Sequence, residues 1–93
     1  MRKRKYSNFF KKALRKLKGK ELQNILKKRN EIMDSKDLDH YKNLRYDLKK
    51  YKRVHVNDSY VILFFGDDGT VYFIDYEHHD KIYKKKYDNL EFE

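Results

Sequence analysis

The apolar residues of this chain change their spacing once, near residue 45, and that change limits the folds open to it. Before it they recur at helical intervals, and after it they come in short branched and aromatic runs. Ser7 is placed to cap a helix whose Phe9, Phe10, Ala13, Leu14 and Leu17 share one face, with Gly19 as its stop. A second helix is expected over roughly residues 20–34, with Leu22, Ile25, Leu26, Ile32 and Met33 inward and Lys27, Lys28 and Glu31 outward. One tight turn between the two predicts an antiparallel helical hairpin. "SKDLDHYKN" reads as a loop with room for one helical turn. From Tyr46 onward "KRVHV", "YVILFF" and "TVYFIDY" read as three strands, joined by hairpin turns at "NDS" and "GDDG" whose glycines are free to take positive φ. A three-stranded antiparallel meander packed on an N-terminal helical hairpin makes an α+β domain.

Ninety-three residues predict a single domain spanning residues 1–93. Nine Tyr and six Phe supply the core that 42% charged residues would otherwise leave thin. There is no cysteine, so disulfide staples and thiolate chemistry are out. The start "MRKRKYSNFF" lacks an apolar stretch of signal-peptide length and no run approaches a membrane span, which predicts a cytoplasmic protein with no membrane partner. The net charge of +9 is concentrated: residues 1–30 carry 13 Lys or Arg against the single acid Glu21. Such a surface attracts a polyanion or an acidic protein, although a solvated basic helix pair would read the same way.

Alternation along "KRVHV" puts Val54 and Val56 on one face of the sheet and Arg53 and His55 on the other. Burying the valines against the helices would hold Arg53 and His55 on the open face, at positions set by a rigid strand. A second cluster follows the last strand, where "YEHHDKIYKKK" offers His78, His79, Asp80, Lys81 and Tyr83. The start of one meander strand and the end of another can share a rim, so this run could face His55. Histidine serves there as base, acid or phosphate-binding cation. A metal held by His55, one of the paired histidines and Asp80 competes with this reading, but adjacent strand residues face oppositely. His78 and His79 could share an ion only if the strand has already ended. No H-E-x-x-H, cysteine pair or carboxylate cluster supports a metal, "GDDGTVYFIDYE" has Tyr72 where a calcium loop needs glycine, and no phosphate loop or dinucleotide fingerprint occurs. Neither a metal nor a cofactor is expected.

The order of helical hairpin, "LKKYKRVHVNDSYVILFF", a Gly/Asp turn and "VYFIDYEHHDKIYKK" resembles the RelE/ParE superfamily of type II toxins, in particular its RelE-like ribonucleases. The resemblance spans nearly the whole chain and is sharpest over residues 44–85. It implies a metal-independent endoribonuclease that cuts mRNA, typically on the ribosome, and that a cognate antitoxin silences. Cations on the second strand of such toxins face the RNA backbone, which matches Arg53 and His55 with Lys52 beside them. A basic or histidine residue near the end of the last strand corresponds to His78 or His79, and the following tyrosine to Tyr83. Many relatives carry arginine after the residue that opens the third strand, where this chain has Val61 after Tyr60. Loss of that cation bears on nuclease activity unless His78, His79 or Lys81 takes its role.

Metal-free RNA cleavage needs a base for the 2′-OH, an acid for the leaving 5′-oxygen and cations around the phosphate. The clustering assigns Arg53 and Lys52 to the phosphate, His55 and one of His78 or His79 to proton transfer, and Tyr83 to stacking or positioning. Lys49, Lys50 and Lys81 complete the expected substrate-binding set. Two other functions fit the same residues: a non-catalytic nucleic-acid-binding module, and a gyrase-directed toxin of the same superfamily. The basic N-terminal third suits either an acidic antitoxin segment or ribosomal RNA.

Overall fold

The run "YVILFF" lacks polar alternation because its strand is buried on both faces. That strand is β4 (Tyr60–Gly66), paired antiparallel with β3 (Lys52–His55) on one side and β5 (Thr70–His78) on the other. A strand β1 (Lys3–Tyr6) adds in parallel beyond β5, and a short β2 (Lys42–Asn43) adds antiparallel beyond β3, giving the order β1-β5-β4-β3-β2. The fold is that of a computed structural model, which describes residues 2–67 and 69–92, with only the backbone at Asp47.

Two helices, α1 (Asn8–Arg15) and α2 (Gly19–Asp34), cover one face. Phe10, Ile25, Ile32 and Met33 pack there against Ile62 and Phe64 of β4 and Phe73 of β5. The alternate residues Val61 and Leu63 meet Ile74, Leu44, Tyr51 and Ile82 on the other face, with Tyr87, Leu90 and Phe92 packed around them. The face expected to be open is thus roofed by the C-terminal segment and by the loop ahead of β3. The tail's end joins the fold directly: Ser7 and Phe92 form an antiparallel bridge, and the Asn8 N–H donates to the Glu91 carbonyl at 2.9 Å.

The helices and the three-stranded meander stand where the periodicity puts them, and the differences have local causes. Ser7 does cap α1, accepting the Phe10 N–H at 3.1 Å. Gly19, however, does not stop α1, which ends at Arg15; with φ +60 it opens α2 behind the extended Lys18. Strand β1 has no sequence signal because three of its four residues are exposed charges on a sheet edge. Tyr46–Leu48 is a 3-10 turn, not strand, and Tyr46 itself takes φ 60.

Both hairpin turns rest on a side-chain oxygen rather than on glycine. Asn57 Oδ1 accepts the N–H groups of Ser59 and Tyr60, both at 2.9 Å, and Asp67 Oδ1 accepts those of Gly69 and Thr70 at 2.8 and 2.9 Å. Neither Gly66 nor Gly69 has positive φ. Gly66 is required by space: a Cβ there would sit 2.5 Å from the Thr70 carbonyl oxygen and 3.0 Å from Val71 Cα. Gly66→Ala is expected to destabilise the domain by about 1–3 kcal/mol, as overpacking against backbone does, read as a lower urea midpoint with unchanged slope.

Among the described residues no helix is long and apolar enough to cross a membrane.

Candidate active site

Three adjacent strands display a row of side chains on the tail-covered face. The register places His55 of β3 opposite Val61 of β4, and Val61 opposite Glu77 of β5. The next row runs Lys42, Arg53, Leu63, Asp75. Asp75 and Glu77 reach this face because the β4–β5 register shifts at Leu63/Phe64, so that Ile74 is the extra residue of a bulge. Beyond the bulge the parity of β5 inverts, which turns Asp75 and Glu77 toward the tail and Tyr76 toward the helices.

His55 is exposed at the rim of this face, and its ring centre lies 6.3 Å from that of His79. His79 arrives from just beyond β5, where its N–H donates to the Ser59 carbonyl at 2.8 Å and a turn closes through the Lys81 N–H on the His78 carbonyl at 2.9 Å. The rings of His78 and His79 stack at 4.6 Å, and His78 also packs edge-on against Tyr60 at 5.5 Å. Asp80 orients both imidazoles: its carboxylate is 2.9 Å from His79 Nδ1, and its N–H donates to His78 Nδ1 at 3.2 Å. Arg53 lies two residues from His55 on the same face of β3, half-buried, and its Nε is buried with no hydrogen-bond acceptor among the described residues.

The other expected residues separate into two groups. Tyr83, in a 3-10 turn over Ile82–Lys84, accepts the Arg45 N–H through its hydroxyl at 3.1 Å and meets Tyr46 edge-on at 6.2 Å. These two tyrosines are 44% and 80% exposed, a pair of open aromatic faces. Lys50 shares with Tyr83, Lys84 and Lys86 a cleft of about 550 Å³, while Lys49 and Lys81 are exposed on turns beside the sheet. Lys52 goes elsewhere. Alternation turns it to the helix side, where its ammonium donates to Asn43 Oδ1 at 3.0 Å and to the Tyr41 carbonyl at 3.4 Å, with Asp39 at 3.8 Å. The structure therefore does not bring Lys52 together with Arg53 and His55. Val61 is fully buried beneath the rim, in the second core.

Two features escaped the sequence reading. Tyr46 carries no pattern that marks it as exposed. The second is a buried charge cluster: Asp75, 1% exposed, accepts Lys85 Nζ at 2.7 Å, the Tyr87 hydroxyl at 2.9 Å and the Tyr76 N–H at 2.8 Å. Burial pushes the Asp75 carboxyl above its ordinary range despite these partners. Lys85 is penalised by its own burial, yet the hydrogen bond and charge of Asp75, with Glu77 at 3.4 Å, raise it above the usual lysine value. Burial also raises Glu77, but the His78 N–H and Lys85 outweigh it and hold that carboxyl below its ordinary range.

Fold and site together define a small α+β domain with a basic N-terminal third and a histidine-rich rim. No family model matches the chain. It is 51% identical over 69 residues to a protein of Methanocaldococcus jannaschii named "Putative toxin RelE4", covering 72% of this chain and 71% of that protein. An uncharacterized protein of Methanosarcina mazei is 41% identical over 72 residues, covering 75% and 81%. Among solved structures the fold matches YafQ from E. coli strain BL21(DE3), with a TM-score of 0.71 at 17% identity over 89% of this chain and 99% of that one. It also matches HP0894 from Helicobacter pylori, at 0.57 and 15% over 86% and 97%. The chain belongs to the RelE family, the toxin halves of type II toxin–antitoxin systems.

Proposed function

We propose that this toxin is a metal-independent endoribonuclease that cleaves mRNA on the ribosome and is silenced by a cognate acidic antitoxin. The observation that carries the reading is the approach of His55 on β3 and His79 in the turn after β5 to 6.3 Å between ring centres. Two imidazoles so placed can serve one phosphodiester, one removing the 2′-OH proton and the other protonating the departing 5′-oxygen. Arg53 supports the same reading: its guanidinium lies on the face of β3 that carries His55, and its Nε has no acceptor among the described residues, so an outward rotation would let it bind a phosphate oxygen. Asp80 and His78 act as positioning groups, holding His79 by ion pairing and by stacking.

Substrate contacts extend along the same face. Tyr83 and Tyr46 offer exposed rings on which RNA bases stack, and the cleft of Lys50, Lys84 and Lys86 runs beside them as a backbone track. Lys49 and Lys81 add outer charge, whereas Lys52 is left out by its ties to Asn43 and Asp39. The basic N-terminal third would bind the antitoxin's acidic segment.

The test is expression of the chain without a partner, with 5′-end mapping of transcripts. New ends within translated mRNA are expected, and they should vanish when a cognate acidic antitoxin is co-expressed. Growth arrest with intact transcripts and a DNA-damage response would replace this reading with a gyrase-directed one. Salt-sensitive RNA binding without any cleavage would replace it with a non-catalytic module.

A further inference from the structure

We infer that His78, His79 and Asp80, joined by His55, form a Zn²⁺ site and that the bound ion switches the toxin off. The binding part stands on geometry alone; the inhibitory part rests on the proton-transfer roles of His55 and His79 proposed above.

Paired histidines on a continuing strand would face opposite sides of the sheet. Here β5 ends at His78, the chain turns over the next two residues, and the rings come to the same side, stacked 4.6 Å apart with planes inclined at 28°. Asp80 completes a compact donor set: one ligand atom from each of the three residues lies within 4.8 Å of the others. His79 Nδ1 is 2.9 Å from one carboxylate oxygen and His78 Nδ1 is 3.8 Å from the other. Donors bound at about 2.0–2.1 Å to one ion sit about 2.9–3.4 Å from each other, so small rotations of these side chains suffice. His78 Nδ1 accepts the Asp80 N–H, which fixes it as the unprotonated nitrogen, and the ion takes over that lone pair in place of the hydrogen bond.

The fourth donor comes from another strand. An imidazole bound at about 2.1 Å has its ring centre about 3.2 Å from the ion, so two rings on one tetrahedral ion lie about 5.2 Å apart. The His55–His79 separation of 6.3 Å exceeds that by about 1 Å, a gap that His55, exposed at the rim, closes by swinging inward as the ion binds. Three imidazoles and one carboxylate suit Zn²⁺, and do not suit Mg²⁺ or Ca²⁺, which demand oxygen donors. A nitrogen that holds an ion can neither take nor give a proton. Zn²⁺ is therefore an inhibitor of this site rather than its cofactor.

The full chain, purified without a His tag, is titrated with Co²⁺ in the absence of RNA while visible absorption is recorded, and the Co²⁺ is then displaced with Zn²⁺ during calorimetry. One ion per chain is expected, with tetrahedral Co²⁺ bands. Affinity should fall at least about tenfold in His78→Ala and in His79→Ala, and less in Asp80→Asn and His55→Ala. His40→Ala should bind as the unaltered chain does. Equal affinity in the unaltered chain and a His78→Ala/His79→Ala double variant would overturn the site. For inhibition, RNA cleavage should stop on adding Zn²⁺, resume with a chelator and ignore Mg²⁺; cleavage indifferent to saturating Zn²⁺ would overturn it. A chain that binds Co²⁺ as expected yet cuts no RNA would overturn the nuclease reading and leave the site standing.

Discussion

His79→Ala is expected to slow RNA cleavage by about 10²–10⁴-fold, and His55→Ala by a similar factor, the usual cost of deleting a general acid or base. The losses should fall on the chemical step, because neither side chain carries much of the fold. His55 is exposed, and the backbone hydrogen bond from His79 to the Ser59 carbonyl survives the substitution. Stability should therefore change by no more than about 0.5 kcal/mol, as for surface positions elsewhere, and circular dichroism with urea titration separates that from the rate effect. Tyr83→Phe removes the acceptor for the Arg45 N–H while keeping the ring, and Tyr83→Ala removes both. If the tyrosine stacks on a base, the alanine variant loses the more, by about 1–3 kcal/mol of substrate binding. Lys52→Ala is the internal control: it faces the helix side, so its cleavage rate should match that of the unaltered chain. Full activity in His55→Ala, His79→Ala and Tyr83→Phe together would refute the assignment.

What the sequence could disclose of this site depended on which physical signal each residue carried. Val54 and Val56 alternate with Arg53 and His55, so the shared face of that pair was readable from strand periodicity alone. The same alternation separates Lys52 from Arg53, yet a run of like charges makes neighbours look like partners. The unbroken run in β4 announced burial, but not that a second layer, the tail, would cover the far face. Strand β1 has no apolar residue before Tyr6 and exists because β5 offers it a parallel edge, which is a tertiary cause. The bulge that turns Asp75 toward the tail leaves no mark in composition, and the meeting of His78 with His79 depends on one residue's difference in where β5 ends. Strand ends are the least legible part of any sequence. The α+β architecture was thus legible from periodicity, and the rim of the site only as a set of residue types that could converge.

Lys85→Met is expected to destabilise the domain by roughly 3 kcal/mol near neutral pH, the low end of the ~3–5 kcal/mol typical of stripping one partner from a buried ion pair. The low end applies because Lys85 keeps 32% of its side chain exposed, so solvent screens part of the interaction, whereas Asp75 is 1% exposed and must stay where the bulge puts it. Without the ammonium the Asp75 carboxyl loses the largest influence that opposes its burial, and its folded-state value climbs further above the unfolded one. A carboxyl raised in the folded state stabilises when protonated, and that contribution is lost as pH rises through the folded value. The variant should therefore regain stability relative to the unaltered chain as the pH is lowered from 8 toward 5. Adding Asp75→Asn should restore much of the loss at pH 8 by removing the stranded charge, leaving the Tyr87 hydroxyl a neutral acceptor. A Lys85→Met chain as stable as the original at pH 8, with no gain on acidification, would mean that the pair contributes nothing. The consequence reaches the candidate active site, because Lys85 directly follows the turn that carries Tyr83 and packs its ammonium 5.4 Å from the Phe9 ring of α1. This cluster fastens the tail to the sheet between helix and rim, so the same variant should weaken substrate binding through Tyr83 while the chemical groups at His55 and His79 stay intact.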